Sequence, residues 1–85
     1  MNRRKLLQRI SQGALHNVAF ADLRNLVEGL GFQLARVKGS HHVFAHPAIP
    51  ELVNLQDVRG QAKPYQIRQL LRLIERYNLE LEELQ

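Results

Sequence analysis

The residues that decide the fold read FQLARVKGSHHVFAHP from position 32 to position 47. Two short runs of mixed apolar and polar residues flank a Gly39-Ser40 pair, which is the pattern of a β-hairpin. Residues 47–50 read PAIP and interrupt the chain. Leu52 to Val58 follows as a third candidate strand, because a proline precedes it and a glycine closes it. The sequence therefore predicts three consecutive strands.

Helices are predicted on both sides of these strands. Before them, apolar residues recur at steps of three and four, and Gly31 follows the last of them. These residues are Phe20, Leu23, Leu26, Val27 and Leu30. After them, a second stripe follows a first-turn proline at Pro64, with Ile67, Leu70, Leu71, Ile74 and Tyr77. A third helix is predicted from Arg3 to Ile10, and Gly13 ends it. Because this helix is short, it needs to pack against another element to be stable.

The economical arrangement of these elements is an α+β fold. It has a three-stranded antiparallel sheet with two helices on one face, in the order α-β-β-β-α, preceded by a short N-terminal helical arm. The other face of the sheet is left open to solvent or to a ligand. We expect a basic N-terminal arm at 1–18, the domain at 19–78 and an acidic C-terminal tail at 79–85.

Length and composition exclude several classes of protein. The chain has 85 residues and no cysteine, so a disulfide scaffold, a thiol nucleophile and a thiolate metal site are all excluded. No apolar run approaches the roughly 18 residues that a membrane span needs, and no apolar segment of a secretion signal follows the basic start. We therefore expect no membrane association and a cytoplasmic protein.

The charge of the chain is unevenly distributed. The net charge is +4, and four of the twelve basic residues lie in the first nine positions without an acid among them. Between Arg36 and Arg76, seven basic residues stand against three acidic ones, whereas the last six residues include Glu80, Glu82 and Glu83. A basic middle suits an anionic partner such as nucleic acid, and it equally suits a solvated surface.

Three of the four histidines fall within residues 41–46. Side chains alternate along a strand, so His41 is expected on one face and His42 with His46 on the other. His42 and His46 would then be about 13 Å apart at roughly 3.3 Å per residue, which is too far to hold one ion. Since no cysteine or acidic pair completes a site either, we expect no metal and no cofactor.

These histidines suggest acid–base chemistry on RNA. Cleavage through the 2′-hydroxyl needs a base, an acid and cations near the phosphate, and histidine serves as base or acid near neutral pH. Arg36 and Lys38 would place positive charge beside such a phosphate. Arg59 and Lys63, in the loop before the last helix, would hold further phosphates. A packing role remains the common alternative for a histidine on a short strand.

The order of these motifs resembles the HicA family of toxins. The resemblance rests on a helix ending in Gly31-Phe32, then VKGSHHVF at 37–44, then His46-Pro47, a strand and a helix that begins after Lys63-Pro64, and it covers Ala19 to Tyr77. It implies a fold similar to the double-stranded-RNA-binding domain (dsRBD). It also implies a metal-independent endoribonuclease that cleaves mRNA (an mRNA interferase) and a HicB-type antitoxin that covers the site.

The resemblance assigns the catalytic role to the histidine after Gly-Ser, which is His41, with His42 as the competing candidate. Water or His42 would protonate the leaving group. The residues expected to contact RNA are Arg36, Lys38, Ser40, Arg59 and Lys63. The chain departs from the family in its third strand, where VNLQ at 53–56 replaces a Val-Pro-x-His ending, and in the longer segment before its last helix.

Two other functions fit the same fold. A non-catalytic RNA-binding module would bind RNA in a salt-sensitive manner without cleaving it. A protein-interaction module would use the open sheet face and the basic arm to bind a partner. The sequence leaves open whether the chain forms a homo-oligomer or a toxin–antitoxin hetero-oligomer.

Overall fold

Three helices and three strands follow one another in the computed structural model, which describes residues 1–82. The elements are α1 (Arg3–Ser11), α2 (Phe20–Gly29), β1 (Gln33–Lys38), β2 (His41–His46), β3 (Ile49–Gln56) and α3 (Pro64–Tyr77). This order confirms the predicted α+β class and the antiparallel three-stranded sheet. Over the described residues, no helix combines the length and the apolar character that crossing a bilayer demands.

The sheet is a meander in the order β1-β2-β3, so β2 is its central strand. Gly39 and Ser40 connect β1 to β2, and Lys38 pairs with His41 across the turn. Gly39 has a φ of +59°, the positive value that the first central residue of a type II′ turn requires. The second turn is closed by a side chain, because the Ala48 amide donates to His46 Nδ1 at 3.0 Å.

The third strand lies earlier in the chain than the sequence indicates. It begins at Ile49 rather than Leu52 and ends at Gln56 rather than Val58. Pro50 is accommodated because β3 is an edge strand, where a residue without an N–H can face away from the ladder. Val58 instead exchanges two backbone hydrogen bonds with Gln61, which closes a separate tight turn after the sheet.

One hydrophobic core lies between the sheet and the helices. Phe44 on the central strand is fully buried, and so are Leu23 and Leu26 of α2 and Ile67 of α3. Burying a side chain of this size stabilises the fold by about 1.5–3 kcal/mol relative to leaving it exposed. Both helical stripes that the sequence predicts therefore contribute to the same core.

The N-terminal helix packs on its own chain. Leu6 and Ile10 are buried in the shared core, and Arg3 Nε donates to Asn25 Oδ1 of α2 at 3.1 Å. Asn2 caps α1, since its side-chain oxygen accepts from the Lys5 amide at 2.7 Å. This packing supplies the support that such a short helix needs. The division of the chain into arm, domain and tail stays a prediction.

After α3 the chain turns back over α2. Asn78 adopts a left-handed conformation and ends the helix, as its position predicts. Leu79 and Leu81 are partly buried against the core, and the Glu82 amide donates to the Gly29 carbonyl at 2.7 Å. The predicted acidic tail at 79–85 thus packs against the core as far as Glu82 without forming a helix or a strand there, and its last three positions lie outside the described residues.

The C-terminal end of α3 is attached to β3 through Glu51. The Tyr77 hydroxyl donates to Glu51 Oε1 at 2.5 Å, and Arg76 lies 3.0 Å from Glu51 Oε2. The Tyr77 hydrogen bond is the main reason that the pKa of Glu51 falls below its ordinary value of 4.5, and Arg76 adds to it. The same hydrogen bond raises the pKa of Tyr77 above 10.0.

We expect Gly31→Ala to destabilise the fold far more than Gly13→Ala. Both glycines have positive φ values, +101° and +95°, so both substitutions carry the backbone cost of about 1–2 kcal/mol. A β-carbon at Gly31 would also lie 2.8 Å from His46 Nε2, whereas one at Gly13 would have no neighbour within 4 Å. The His46 ring is held in place, because it packs on Phe32 with ring centroids 5.1 Å apart and accepts a hydrogen bond from the Ala48 backbone N–H.

The overlap should add about 1–3 kcal/mol to the cost at Gly31. The measurement is the free energy of unfolding of both variants in urea. Equal losses at the two glycines would show that the approach of His46 has no energetic consequence.

We expect Tyr77→Phe to reduce the acid sensitivity of the fold. A carboxyl with a lowered pKa stabilises the folded state above its unfolded value of about 4.5, and this contribution disappears as the pH falls through the folded pKa. Tyr77, whose pKa is raised, contributes stability below about pH 10 that is lost at higher pH. Without the hydroxyl, both contributions shrink.

The measurement compares the free energies of unfolding at about pH 3, 7 and 11 for the parent and the variant. Tyr65→Phe is the control, because the Tyr65 hydroxyl contacts the Gln66 amide group and not a carboxylate. An unchanged pH profile in Tyr77→Phe would contradict the assigned role of Glu51.

Candidate functional site

A shallow concavity of about 530 Å³ lies on the sheet face opposite the helices. Antiparallel pairing brings its residues together, since Lys38 pairs with His41, Arg36 with Val43, and Val43 with Asn54. Over residues 1–82 the lining includes two cations and no carboxylate, and it consists of Arg36, Lys38, Gly39, Ser40, His41, Val43 and Asn54. The open face that the sequence predicts therefore carries a positively charged concavity with an imidazole in it.

His41 is exposed at the start of β2 and points into this concavity. Its Nδ1 lies 3.4 Å from Asn54 Oδ1 on the neighbouring strand. No hydrogen bond from the described part of the chain reaches its Nε2. The ring therefore offers one nitrogen to a ligand and turns the other toward the protein.

His42 lies on the helix-facing side of the sheet, as strand alternation predicts. It is half-buried, its ring centroid is 4.7 Å from that of Phe20, and its Nδ1 lies 3.2 Å from the Ser40 carbonyl. An imidazole nitrogen can only donate to a carbonyl oxygen, so His42 Nδ1 carries a proton. His42 thus packs at the base of the turn and does not line the concavity with His41.

The turn that carries His41 is braced from β3 and α3. The Ser40 carbonyl accepts from the Asp57 amide at 2.9 Å, and Ser40 Oγ lies 3.2 Å from Gln56 Nε2. The backbone N–H of Gln56 in turn donates to Gln66 Oε1 at 2.7 Å, and Gln66 is only 4% exposed. A polar group this deeply buried requires a hydrogen-bond partner, and the side-chain oxygen of Gln66 finds one in the backbone N–H at the end of β3.

The structure separates the expected RNA-contacting residues into two groups. Arg36, Lys38 and Ser40 line the concavity together with His41. Arg59 is exposed in the tight turn after β3. Lys63 directly precedes the first residue of α3, and its Nζ lies 5.9 Å from the Tyr65 ring centroid. Arg59 and Lys63 do not line the concavity. The RNA contacts of both groups stay a prediction.

Sequence reasoning did not identify Asn54, Gln56 or Gln66 as parts of this site. The first two fall in the segment where the chain departs from the Val-Pro-x-His pattern, which was the one available signal. Gln66 lies on the predicted apolar side of α3, and nothing in the sequence shows that its amide reaches β3. Within residues 1–82, no group of three or more histidine, aspartate or glutamate side chains is arranged to hold a metal ion.

Comparison with protein families gives a match to one model, described as the HicA toxin of bacterial toxin–antitoxin, over residues 20–75. The match spans 56 of the 85 residues, from the first residue of α2 into the last turn of α3. The chain belongs to the HicA toxin family. No curated protein and no solved structure gives a significant match.

Membership confirms the resemblance drawn from VKGSHHVF and the segments around it. It makes the chain a toxin of a bacterial toxin–antitoxin system, and such a system includes an antitoxin partner. The HicA match leaves out α1, although Leu6 and Ile10 of that helix are buried in the same core.

We expect Gln66→Leu to loosen the turn that carries His41. The substitution keeps the size of the side chain but leaves the Gln56 amide without its acceptor, at a cost of about 1–3 kcal/mol. Hydrogen exchange followed by NMR should show faster exchange of the Gln56 and Asp57 amides than of amides in α2. Gln69→Leu, at an exposed position of the same helix, is the control. Unchanged exchange at Gln56 would refute the bracing role.

Proposed function

We propose that this HicA-family toxin is a metal-independent endoribonuclease that cleaves mRNA, with His41 as its general base. The observation that carries the proposal is the position of His41, exposed in a concavity whose charged lining residues, within the part of the chain that the structure describes, are Arg36 and Lys38. A base and two cations on one open surface are the groups that attack by a ribose 2′-hydroxyl requires. The polynucleotide has free access to this surface.

In the proposed reaction, His41 Nε2 accepts the proton of the 2′-hydroxyl. The 2′-oxygen then forms a bond to phosphorus while the bond from phosphorus to the 5′-oxygen breaks. The leaving oxygen takes a proton from water, and the hydroxide that remains takes the proton from Nε2 of His41, so the base is regenerated and the products carry a 2′,3′-cyclic phosphate and a 5′-hydroxyl. His42 takes no part in this scheme, because it packs on Phe20 on the other side of the sheet.

The cations have two proposed tasks. Arg36 and Lys38 stabilise the negative charge that grows on the phosphoryl oxygens, where donors fixed in advance are most effective. Arg59 and Lys63 bind phosphates farther along the strand and add affinity without reading sequence. Ser40 contributes to the floor of the site, and its hydroxyl is held by Gln56.

A HicB-type antitoxin is the proposed inhibitor of this activity. Neutralisation would follow if the antitoxin covered the open face and presented carboxylates to Arg36 and Lys38, since opposite charges guide association and fix orientation. The toxin–antitoxin hetero-oligomer is then the inactive form, and RNA and antitoxin compete for one surface.

We expect His41→Ala to abolish growth arrest on expression and to lower the cleavage rate of labelled RNA by about 10²–10⁴-fold, because a positioned general base contributes that much. His16→Ala, at an exposed position between α1 and α2, is the matched control and should cleave like the parent. A chelator should leave the rate unchanged. An RNA with a 2′-O-methyl group at the cleaved nucleotide should resist the parent enzyme.

The same assays distinguish the alternatives. Full activity in His41→Ala would refute the base assignment, and a folded but inactive His42→Ala beside it would transfer the role to His42. If the parent binds RNA in a salt-dependent manner and yields no fragments, the chain is a non-catalytic RNA-binding module. If it neither binds nor cleaves RNA, a protein-interaction module is the remaining function.

A further inference from the structure

We propose that Asn54 is the positioning residue of the site, and that it holds the His41 ring with the proton on Nδ1 and with Nε2 free to act as base. This inference rests on the proposed ribonuclease function and adds a residue to it. Asn54 lies on β3, thirteen positions after His41, and its Oδ1 is 3.4 Å from His41 Nδ1. Gln56 is the direct cross-strand partner of His41, but its side chain donates to Ser40, so it is Asn54 that contacts the ring.

The chemistry of the amide oxygen fixes the tautomer. In the amide orientation of this structure Oδ1 of Asn54 faces Nδ1 of His41, and because that oxygen can only accept a hydrogen bond, this orientation requires the proton on Nδ1. In a neutral imidazole the other nitrogen, Nε2, then has the lone pair. A ring with the opposite tautomer would turn a lone pair toward Asn54 and a proton toward the substrate, and it would be unable to take the 2′-hydroxyl proton through Nε2.

The sheet places both partners on braced segments. His41 and Asn54 share the open face as diagonal neighbours, because the direct cross-strand partner of His41 is Gln56 and that of Asn54 is Val43. The strand that carries Asn54 is held to α3 two residues later, where the backbone N–H of Gln56 donates to the Gln66 side chain. The start of the strand that carries His41 is fixed at Ser40, which accepts from Gln56. The contact thus joins two strands whose relative position is already set.

The positive charges around His41 explain why a neutral amide suits the orienting role. The charged side chains that line the concavity with His41, among the described residues, are Arg36 and Lys38, and a cation cannot accept a hydrogen bond from Nδ1. Asn54 supplies the acceptor without bringing a negative charge beside the bound phosphate. A neutral amide therefore orients the base and leaves the positive field of the concavity intact.

The test compares Asn54→Leu with Asn54→Asp. Leucine keeps the approximate size of asparagine and removes the acceptor, whereas aspartate keeps an oxygen at the same position. The first readout is the ¹⁵N NMR spectrum of the His41 ring above its titration range, which reports the tautomer without any activity. The parent and Asn54→Asp should show the form with the proton on Nδ1, and Asn54→Leu should shift toward the form with the proton on Nε2.

The second readout is the kinetics of RNA cleavage. Asn54→Leu should lower kcat by about tenfold with little change in KM, as expected for the loss of one orienting hydrogen bond. Asn54→Asp should recover most of kcat at saturating RNA and raise KM, because its negative charge lies beside the bound phosphate. Leu52→Ala is the control, because it alters an exposed side chain of the same strand two residues away. This variant should keep both the parent tautomer and the parent rate.

Several results would overturn the inference. One is a parent enzyme with the proton on Nε2 of His41, and another is an Asn54→Leu variant with the parent tautomer. A raised KM with unchanged kcat in Asn54→Leu would make Asn54 an RNA contact instead. Each of these results is compatible with an inactive His41→Ala, so the positioning role can fail while the ribonuclease function stands. Full activity of His41→Ala would remove the function itself, whatever tautomer the spectrum shows.

Discussion

The alternation of side chains along the central strand is the constraint on which the rest of the structure depends. Phe44 is fully buried under the helices, and this burial fixes which residues of β2 face inward. A shift of one residue would expose Phe44 and bring His41 into the core, which the lost apolar burial makes unfavourable. His42 is held inward by the same alternation and packs on Phe20. The core thus selects which of two adjacent histidines reaches solvent.

The position of the His41 ring also depends on polar contacts outside the core. The alternation of β2 determines the face on which His41 lies, but the position of its ring depends on the turn that precedes it. That turn is held by Gln56 and Asp57, and Gln56 is held by the buried Gln66 of α3. The last helix therefore supports a site on the opposite face of the sheet. The concavity itself stays accessible and carries the cations Arg36 and Lys38.

Segments outside the part matched by the HicA family take part in the same fold. α1 buries Leu6 and Ile10 beside α2, and the segment after α3 packs Leu79 and Leu81 against the core. A domain of about 60 residues buries a modest fraction of its surface, so added apolar contacts raise a small stability margin. α1 and the chain from Asn78 to Glu82 lie on the helical side of the sheet, away from the concavity.

Local patterns in the sequence determined the helices, the hairpin and the separation of His41 from His42. Helical stripes and strand alternation repeat within a few residues, so Phe20–Gly29 and Pro64–Tyr77 follow from their own spacing. The bounds of β3 did not follow, because Pro50 is tolerated only where the strand lies at an edge, and strand order is a property of the whole sheet. The contacts of Asn54 with His41 and of Gln66 with Gln56 were decided by tertiary structure alone. They join residues that no local period relates, and they exist only after strands and helix have packed.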